Sequence, residues 1–293
     1  MTLRQTALTL AVAGALLIQP NSIANAQTVG TLIVAHGGDS IWNALVKETA
    51  SQLRLAGPVE VSFLMGPEAS ATRFQDAVAR LVQKGSKEIV AVPLLVSSHS
   101  GHYEQVRYLA GHTDSLDHVM HEHLHHAGIE RPKVDVPIHV TAALDDSHEL
   151  ARVLSERARA HEADPRGHAL MLVGHGPNSA EDYAAWMKNL RVVADSVRKW
   201  SGYRDVRVEL VREDAPAPVR AEAVQRLREL IALQAELTGK PVVVVPILIS
   251  RGGISRSRLM ADLAGLPIRY SGDPLLPHPA IAAWIARRSA VTQ

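Results

Sequence analysis

One phrase occurs twice in this chain: VGTLIVAHGGDS at residues 29–40 returns as HALMLVGHGPNS at residues 168–179. In each copy an apolar strand runs into a His-Gly pair, His36-Gly37 and His175-Gly176, and a helix then begins. A histidine so placed sits at the carboxyl end of a parallel strand, where open α/β sheets hold their ligands. Duplication on this scale limits the fold to two lobes of like design with a cleft between them.

The rest of the sequence repeats in the same order. Short apolar runs at 30–35, 59–64, 88–96 and 134–140 alternate with helical patterns near 40–56, 70–84, 102–126 and 146–161. The second half gives strands at 168–173, 205–211, 241–249 and 266–270, with helices near 178–200, 217–238, 254–264 and 278–289. Continuous apolar strands between longer amphipathic helices predict an α/β fold, each lobe a small parallel sheet covered by helices on both faces. The third strands, EIVAVPLLVSS from Glu88 and PVVVVPILISR from Pro241, each carry a proline. Proline cannot donate to a ladder, so it marks a bulge, an edge or the place where the strand leaves the sheet. The turn formers Asp164-Pro165 and Gly167 set the division, with lobes at 27–163 and 168–293.

Residues 1–26 read differently. Arg4, an apolar run from Ala7 to Ile18 and Ala24-Asn25-Ala26 form the pattern of a secretory signal with an A-x-A cleavage site. The run is short for a membrane span, so the expected mature protein is exported, most simply to a periplasm, with no membrane span left. The chain has no cysteine, which excludes disulfides and thiolate metal sites and leaves imidazole and carboxylate for metal chemistry. With 31 basic and 30 acidic residues it lacks the electrostatic footprint of a nucleic-acid binder.

Four groups of residues carry possible chemistry. His36 lies in AHGGDS, where Gly37 and Gly38 permit close backbone approach and Asp39 or Ser40 caps the next helix. His99 and His102 follow the third strand in VSSHSGHYEQV, with Glu104 opening a helix. Loops after the first and third strands share one sheet edge, which brings His36 toward His102 or His99. Neutral imidazoles suit Co, Ni, Zn and Fe(II), and an incomplete ligand set leaves positions open. Glu68, after the second strand, is either a proton acceptor or ligand, or a charge on a helix amino end. In HTDSLDHVMHEHLHHAG, His118, His121, Glu122 and His125 recur at helical spacing and are read as accessory or adventitious metal binders rather than catalytic groups.

The run FLMGPEASATRFQDAVARLVQKGSKEIVAVPLLVSSHSGHYEQV, preceded by IVAHGGDS, resembles the CbiX-type sirohydrochlorin cobaltochelatases of the class II chelatase group, in their long two-lobed form. The resemblance implies a lyase-type enzyme that inserts a divalent metal into a tetrapyrrole, on the way to cobalamin or sirohaem. Co2+ is the first choice, with Fe2+, Ni2+ and Zn2+ as others. It implies that His36 and His102 bind the metal, with His99 competing for the second place, and that Glu68 matches the carboxylate of the family's AEPS phrase, its proline replaced by Ala69. Catalysis then falls to His36, His102 and Glu68. In the second copy His175 matches the His-Gly histidine, but ISRGGISRSR has no histidine where the first copy has His102. The first lobe is therefore expected to hold metal and the second to shape the cleft, with Arg251, Arg256 and Arg258 as candidates to pair substrate carboxylates. Two other classes remain open: a non-catalytic periplasmic binder of metal or haem on this scaffold, and a two-lobed solute-binding protein.

Overall fold

The computed structural model describes residues 28–162 and 164–290, without the side chains of 253–256. The expected signal sequence lies outside the described residues, apart from which no helix is long and apolar enough to cross a membrane. The first lobe runs β1 (Val29–Ala35), α1 (Ser40–Ser51), β2 (Val59–Phe63), α2 (Phe74–Gln83), β3 (Glu88–Leu94), α3 (Gly101–Leu109), α4 (His118–His126), β4 (Ile138–Val140) and α5 (His148–His161). The second runs β5 (Ala169–Gly174), α6 (Ala180–Ser201), β6 (Asp205–Leu210), α7 (Ala217–Thr238), β7 (Val242–Ile247), α8 (Gly253–Asp262), β8 (Ile268–Tyr270) and α9 (Pro279–Ser289).

Both sheets are parallel and have the same order, β2-β1-β3-β4 and β6-β5-β7-β8. The central strands are apolar along their length because helices cover both faces: every residue of β5 and β7 is buried. In α2, Phe74, Ala77, Val78 and Leu81 fall at i, i+3, i+4 and i+7 and make one buried stripe. Pro93 and Pro246 sit one residue before the ends of β3 and β7. The β3–β4 pairing ends at Ala91 and the β7–β8 pairing at Val244, so neither proline breaks a ladder on that side. Of the places a strand proline can occupy, these mark where the strand leaves the sheet.

Two expectations are corrected. The helical pattern at 102–126 is two helices, because Gly111 takes a left-handed φ of 79° and Asp117 starts α4 afresh by accepting from the Val119 and Met120 amides. The strand expected at 134–140 pairs only over Ile138–Val140; Pro137, just before it, cannot donate.

The lobes are not independent bodies. Each lobe's last helix packs across the division, α5 against α6 and β7, and α9 against β3 and α5. One core cluster accordingly mixes Ile33 and Val92 of the first sheet with Leu172 and Val245 of the second, and includes Trp284 of α9. Polar contacts fix the exchange: the Tyr203 hydroxyl donates to the Ala158 carbonyl at 3.1 Å, and Arg287 spans both oxygens of Glu149 at 2.8 and 2.7 Å.

Candidate metal site and cleft

The carboxyl edges of the two sheets face a cleft of about 660 Å³. Its apolar wall includes Trp42, Leu95, Val96, Trp186, Leu248 and Ile249, and His36, His102, His175 and Asp214 supply polar groups. Trp42 of the first turn of α1 and Trp186 of the second turn of α6 tie the lobes together: the Trp186 indole donates to the His99 carbonyl at 2.5 Å, and the Ser250 hydroxyl donates to the Trp42 carbonyl at 3.0 Å.

His36 stands one residue beyond β1. Gly37 takes a φ of 91°, and a Cβ there would lie 2.2 Å from the Met65 carbonyl oxygen, so only glycine turns the chain here beside the second strand. The turn places the Gly37 carbonyl 2.6 Å from His36 Nδ1. A carbonyl only accepts, so Nδ1 carries the proton and Nε2 keeps its lone pair. His102, in the first turn of α3, is set the same way. Its Nδ1 lies 2.8 Å from Gln105 Oε1, while Gln105 Nε2 donates to the Met120 carbonyl at 2.7 Å, which fixes the amide's orientation. Gln105 is fully buried, one helical turn from His102.

The two rings lie with centroids 4.5 Å apart and planes at 88°. An imidazole nitrogen about 2.0–2.1 Å from a metal puts its ring centroid roughly 3.2 Å from the ion, so two rings sharing an ion at a right angle stand about 4.5 Å apart. Desolvation by burial lowers the pKa of both, that of His102 to about 4, and the neighbouring His36 further disfavours charge on His102. Both stay neutral with free lone pairs at physiological pH. Among the described residues no three His, Asp or Glu side chains gather closely enough to cage an ion. The pair can hold a divalent ion with several coordination positions open.

The second copy of the phrase is biased in the opposite sense. His175 Nδ1 lies 3.0 Å from the Gly176 carbonyl, but its Nε2 faces Asp214 Oδ2 at 3.1 Å and Glu213 Oε2 at 3.6 Å. Burial works to lower its pKa, yet the hydrogen bond and charge of Asp214 outweigh burial and raise it, while Asp214 is held below the usual carboxylate range by that same bond. One lobe thus presents lone pairs and the other a histidine–carboxylate pair.

The other predicted residues lie elsewhere. Glu68 is ion-paired with Lys47 of α1, which lowers its pKa, and it does not line the cleft. The reach from that loop is spent on α1, so the structure does not bring Glu68 to the histidine pair. His99 is exposed and contributes its carbonyl to Trp186, so His102 alone faces His36. Arg258 pairs with Glu213 at 3.2 Å and Arg251 lies 3.9 Å from Asp273, both more than half exposed; the Arg256 side chain lies outside the described residues. On α4, His118, His121 and His125 are exposed, whereas His123 turns inward, its ring stacked near His102 with centroids 6.4 Å apart. Sequence reasoning passed over Gln105, Asp214 and His123. Spacing from His102 pointed to Gln105, and the duplication pointed to Glu213-Asp214, which follow the second strand of their lobe as Met65-Gly66 follow β2.

The CbiX family model matches residues 30–161, the first lobe of this chain. No curated protein sequence matches it. Among solved structures, SirB from Bacillus subtilis with Fe3+ superposes with a TM-score of 0.58 at 16% identity, covering 89% of this chain and 94% of that one. The sirohydrochlorin chelatase SirB of Bacillus subtilis subspecies spizizenii in complex with cobalt gives 0.55 at 17% identity over 90% and 95% of the two chains. CbiX, described as the terminal enzyme for siroheme biosynthesis in denitrifying bacteria, gives 0.52 at 15% identity over 91% and 99%. The two-lobed chelatase fold therefore extends over the whole described chain.

Proposed function

Because the first lobe matches the CbiX family and both lobes together take the chelatase fold, we propose that this protein is a metal chelatase that inserts a divalent ion into a tetrapyrrole. The observation that carries the reading is the His36–His102 pair, two desolvated imidazoles at the spacing of a shared ion, set in the floor of an apolar cleft. The ion is a substrate here. Two imidazole ligands hold it while leaving its other positions to water and then to the macrocycle's nitrogens. The cleft volume is of the order that drug-sized and larger planar ligands need, and Trp42 and Trp186 offer flat apolar surfaces to a ring.

Insertion exchanges one divalent ion for two pyrrole protons. Three carboxylates line the cleft; Asp117 accepts from the Val119 amide and Asp182 from the Ser179 hydroxyl, whereas Asp214 faces His175 and, ionised at neutral pH, can receive a proton. Glu68 and Glu104 are engaged with Lys47 and Arg107. The exposed Arg251 and Arg258 at the second lobe's rim suit the peripheral carboxylates of sirohydrochlorin. Co2+ is the preferred ion, with Fe2+, Ni2+ and Zn2+ tested beside it, since imidazole ligands follow the general divalent order. The signal-like pattern in residues 1–26 supports work outside the cytoplasm, which cell fractionation tests.

Anaerobic incubation of purified protein with sirohydrochlorin and Co2+ is expected to change the tetrapyrrole spectrum faster than a no-protein control, and a His36→Ala, His102→Ala double variant is expected to abolish the gain. The histidine-rich α4 favours a second reading, a binder without turnover. Stoichiometric Co2+ binding with a spectrum that follows the control would sink the enzyme and leave the binder.

A further inference from the structure

The interior of α4 contains a histidine that the two-imidazole site does not use. Three of the four exposed histidines of this helix, His118, His121 and His125, lie at i, i+3 and i+7 and make one outward stripe. His123 lies three and four residues after Met120 and Val119, both of which line the cleft, so it shares their face instead. Its Nδ1 is buried and has no hydrogen-bond partner. A buried polar atom left unpaired costs on the order of 1–3 kcal/mol, and a bound ion is one of the causes for which a native structure keeps one.

The surroundings identify what that is. His123 is within electrostatic reach of both His36 and His102. The Gln105 side chain joins the two elements, with Oε1 on His102 and Nε2 on the Met120 carbonyl of α4. The His102 and His123 centroids stand 6.4 Å apart with planes at 22°, against 4.5 Å for His36 and His102. His123 is therefore placed to hold an ion next to the pair rather than inside it.

Resting on the chelatase reading of the His36–His102 pair, we propose that His123 is a third metal-binding imidazole of this centre, which takes the divalent ion on its arrival along α4 and delivers it to His102. The ion changes ligands without any change in oxidation state, and neutral imidazole replaces water and then neutral imidazole. His102 can accept it because its Nδ1–H is held on Gln105, which keeps Nε2 free.

The test is Co2+ titration of the purified protein, read from the visible ligand-field band, beside steady-state insertion at varied Co2+. His123→Ala is expected to raise the KM for Co2+ at least about tenfold, the loss usual even for an outer-shell partner of a metal, while kcat at saturating Co2+ stays within twofold. Its Co2+ affinity is expected to fall in parallel. A triple His118→Asn, His121→Asn, His125→Asn variant, which removes only the exposed stripe, is expected to keep the tight band. Unchanged Co2+ affinity and KM in a folded His123→Ala protein would overturn the proposal while leaving the pair intact. Retention of the band in His36→Ala, His102→Ala would instead overturn the chelatase site on which the proposal rests. If the triple variant alone lost the band, the stripe and not His123 would be the receiving group, and the proposal would fall.

Discussion

Gln105 is the residue on which the geometry of the proposed metal site turns, and replacing it with leucine isolates its contribution. Leucine is close in size and a good helix former, so α3 and its packing are preserved. The Met120 carbonyl keeps its own helical partner, but the His102 Nδ1–H loses the acceptor now 2.8 Å away, in a place where Gln105 is fully buried. Leaving that donor unpaired costs about 1–3 kcal/mol. The imidazole can relieve the cost by moving its proton to Nε2, which removes the lone pair the ion needs. Metal affinity is therefore expected to fall about 10- to 100-fold, the ordinary range for loss of an outer-shell partner, or about 1.4–2.8 kcal/mol. Co2+ titration against a competing chelator measures this, and urea unfolding of the metal-free protein measures the stability loss separately. Gln105→Glu keeps an acceptor, so it is expected to retain Co2+ affinity and to move the His102 titration upward from about 4. A folded Gln105→Leu protein that binds Co2+ within twofold of wild type would refute the argument, because the hydrogen bond would then not be what orients His102.

Glu68→Gln is expected to leave Co2+ affinity within about twofold and to cost no more than about 1 kcal/mol, since it removes an exposed pair with Lys47; His102→Ala is expected to abolish tight binding, and titration of both variants checks the contrast. The pKa of His102 lies near 4 when folded against 6.5 when unfolded, so the unfolded chain binds more protons between those values and stability is expected to fall as pH drops from about 6.5 to about 4. His175 works in the other sense: its raised pKa contributes stability that is lost as pH rises through that value. Urea midpoints across pH test both. Asp214→Asn is expected to return the His175 titration downward, followed by histidine proton resonances in NMR spectra. Trp284→Ala empties a fully buried site in the core shared by both lobes, with an expected loss of about 3–5 kcal/mol in one cooperative transition; two separated transitions would argue against a shared core.

Fold class and duplication were legible in the sequence because both rest on periodicity: apolar strands buried on two faces cannot alternate, and α2 carries its buried stripe at helical spacing. The 102–126 pattern misled because histidines continue a helical period through Gly111, whose left-handed φ breaks the chain locally without interrupting the pattern. His36 and His102 were found because each stands next to a signal that places it at a sheet edge. His99 competed on the same grounds, and only the direction of α3's first turn separates the two. Asp214 was harder to find because Glu213-Asp214 resembles any acidic loop until His175 is seen 3.1 Å away. Helical spacing singled out His118, His121 and His125, since an i, i+3, i+7 stripe is visible in the sequence; which side of α4 faces the cleft is decided by tertiary packing, and that side carries His123.

The reciprocal placing of α5 and α9 has a consequence for how such a molecule can vary. Neither half, cut at the turn around Pro165, would retain the helix that covers part of its sheet, so a separated half must recover it from a second chain. Joined in one polypeptide, each half meets its missing helix at an effective concentration fixed by the tether, independent of how much protein is present. Joining also removes the requirement that both halves carry the same side chains. A symmetric pair of identical halves would face His36 with its own copy; here the corresponding place holds His175, already paired with Asp214. The tether thus permits the two faces of one cleft to take on different tasks.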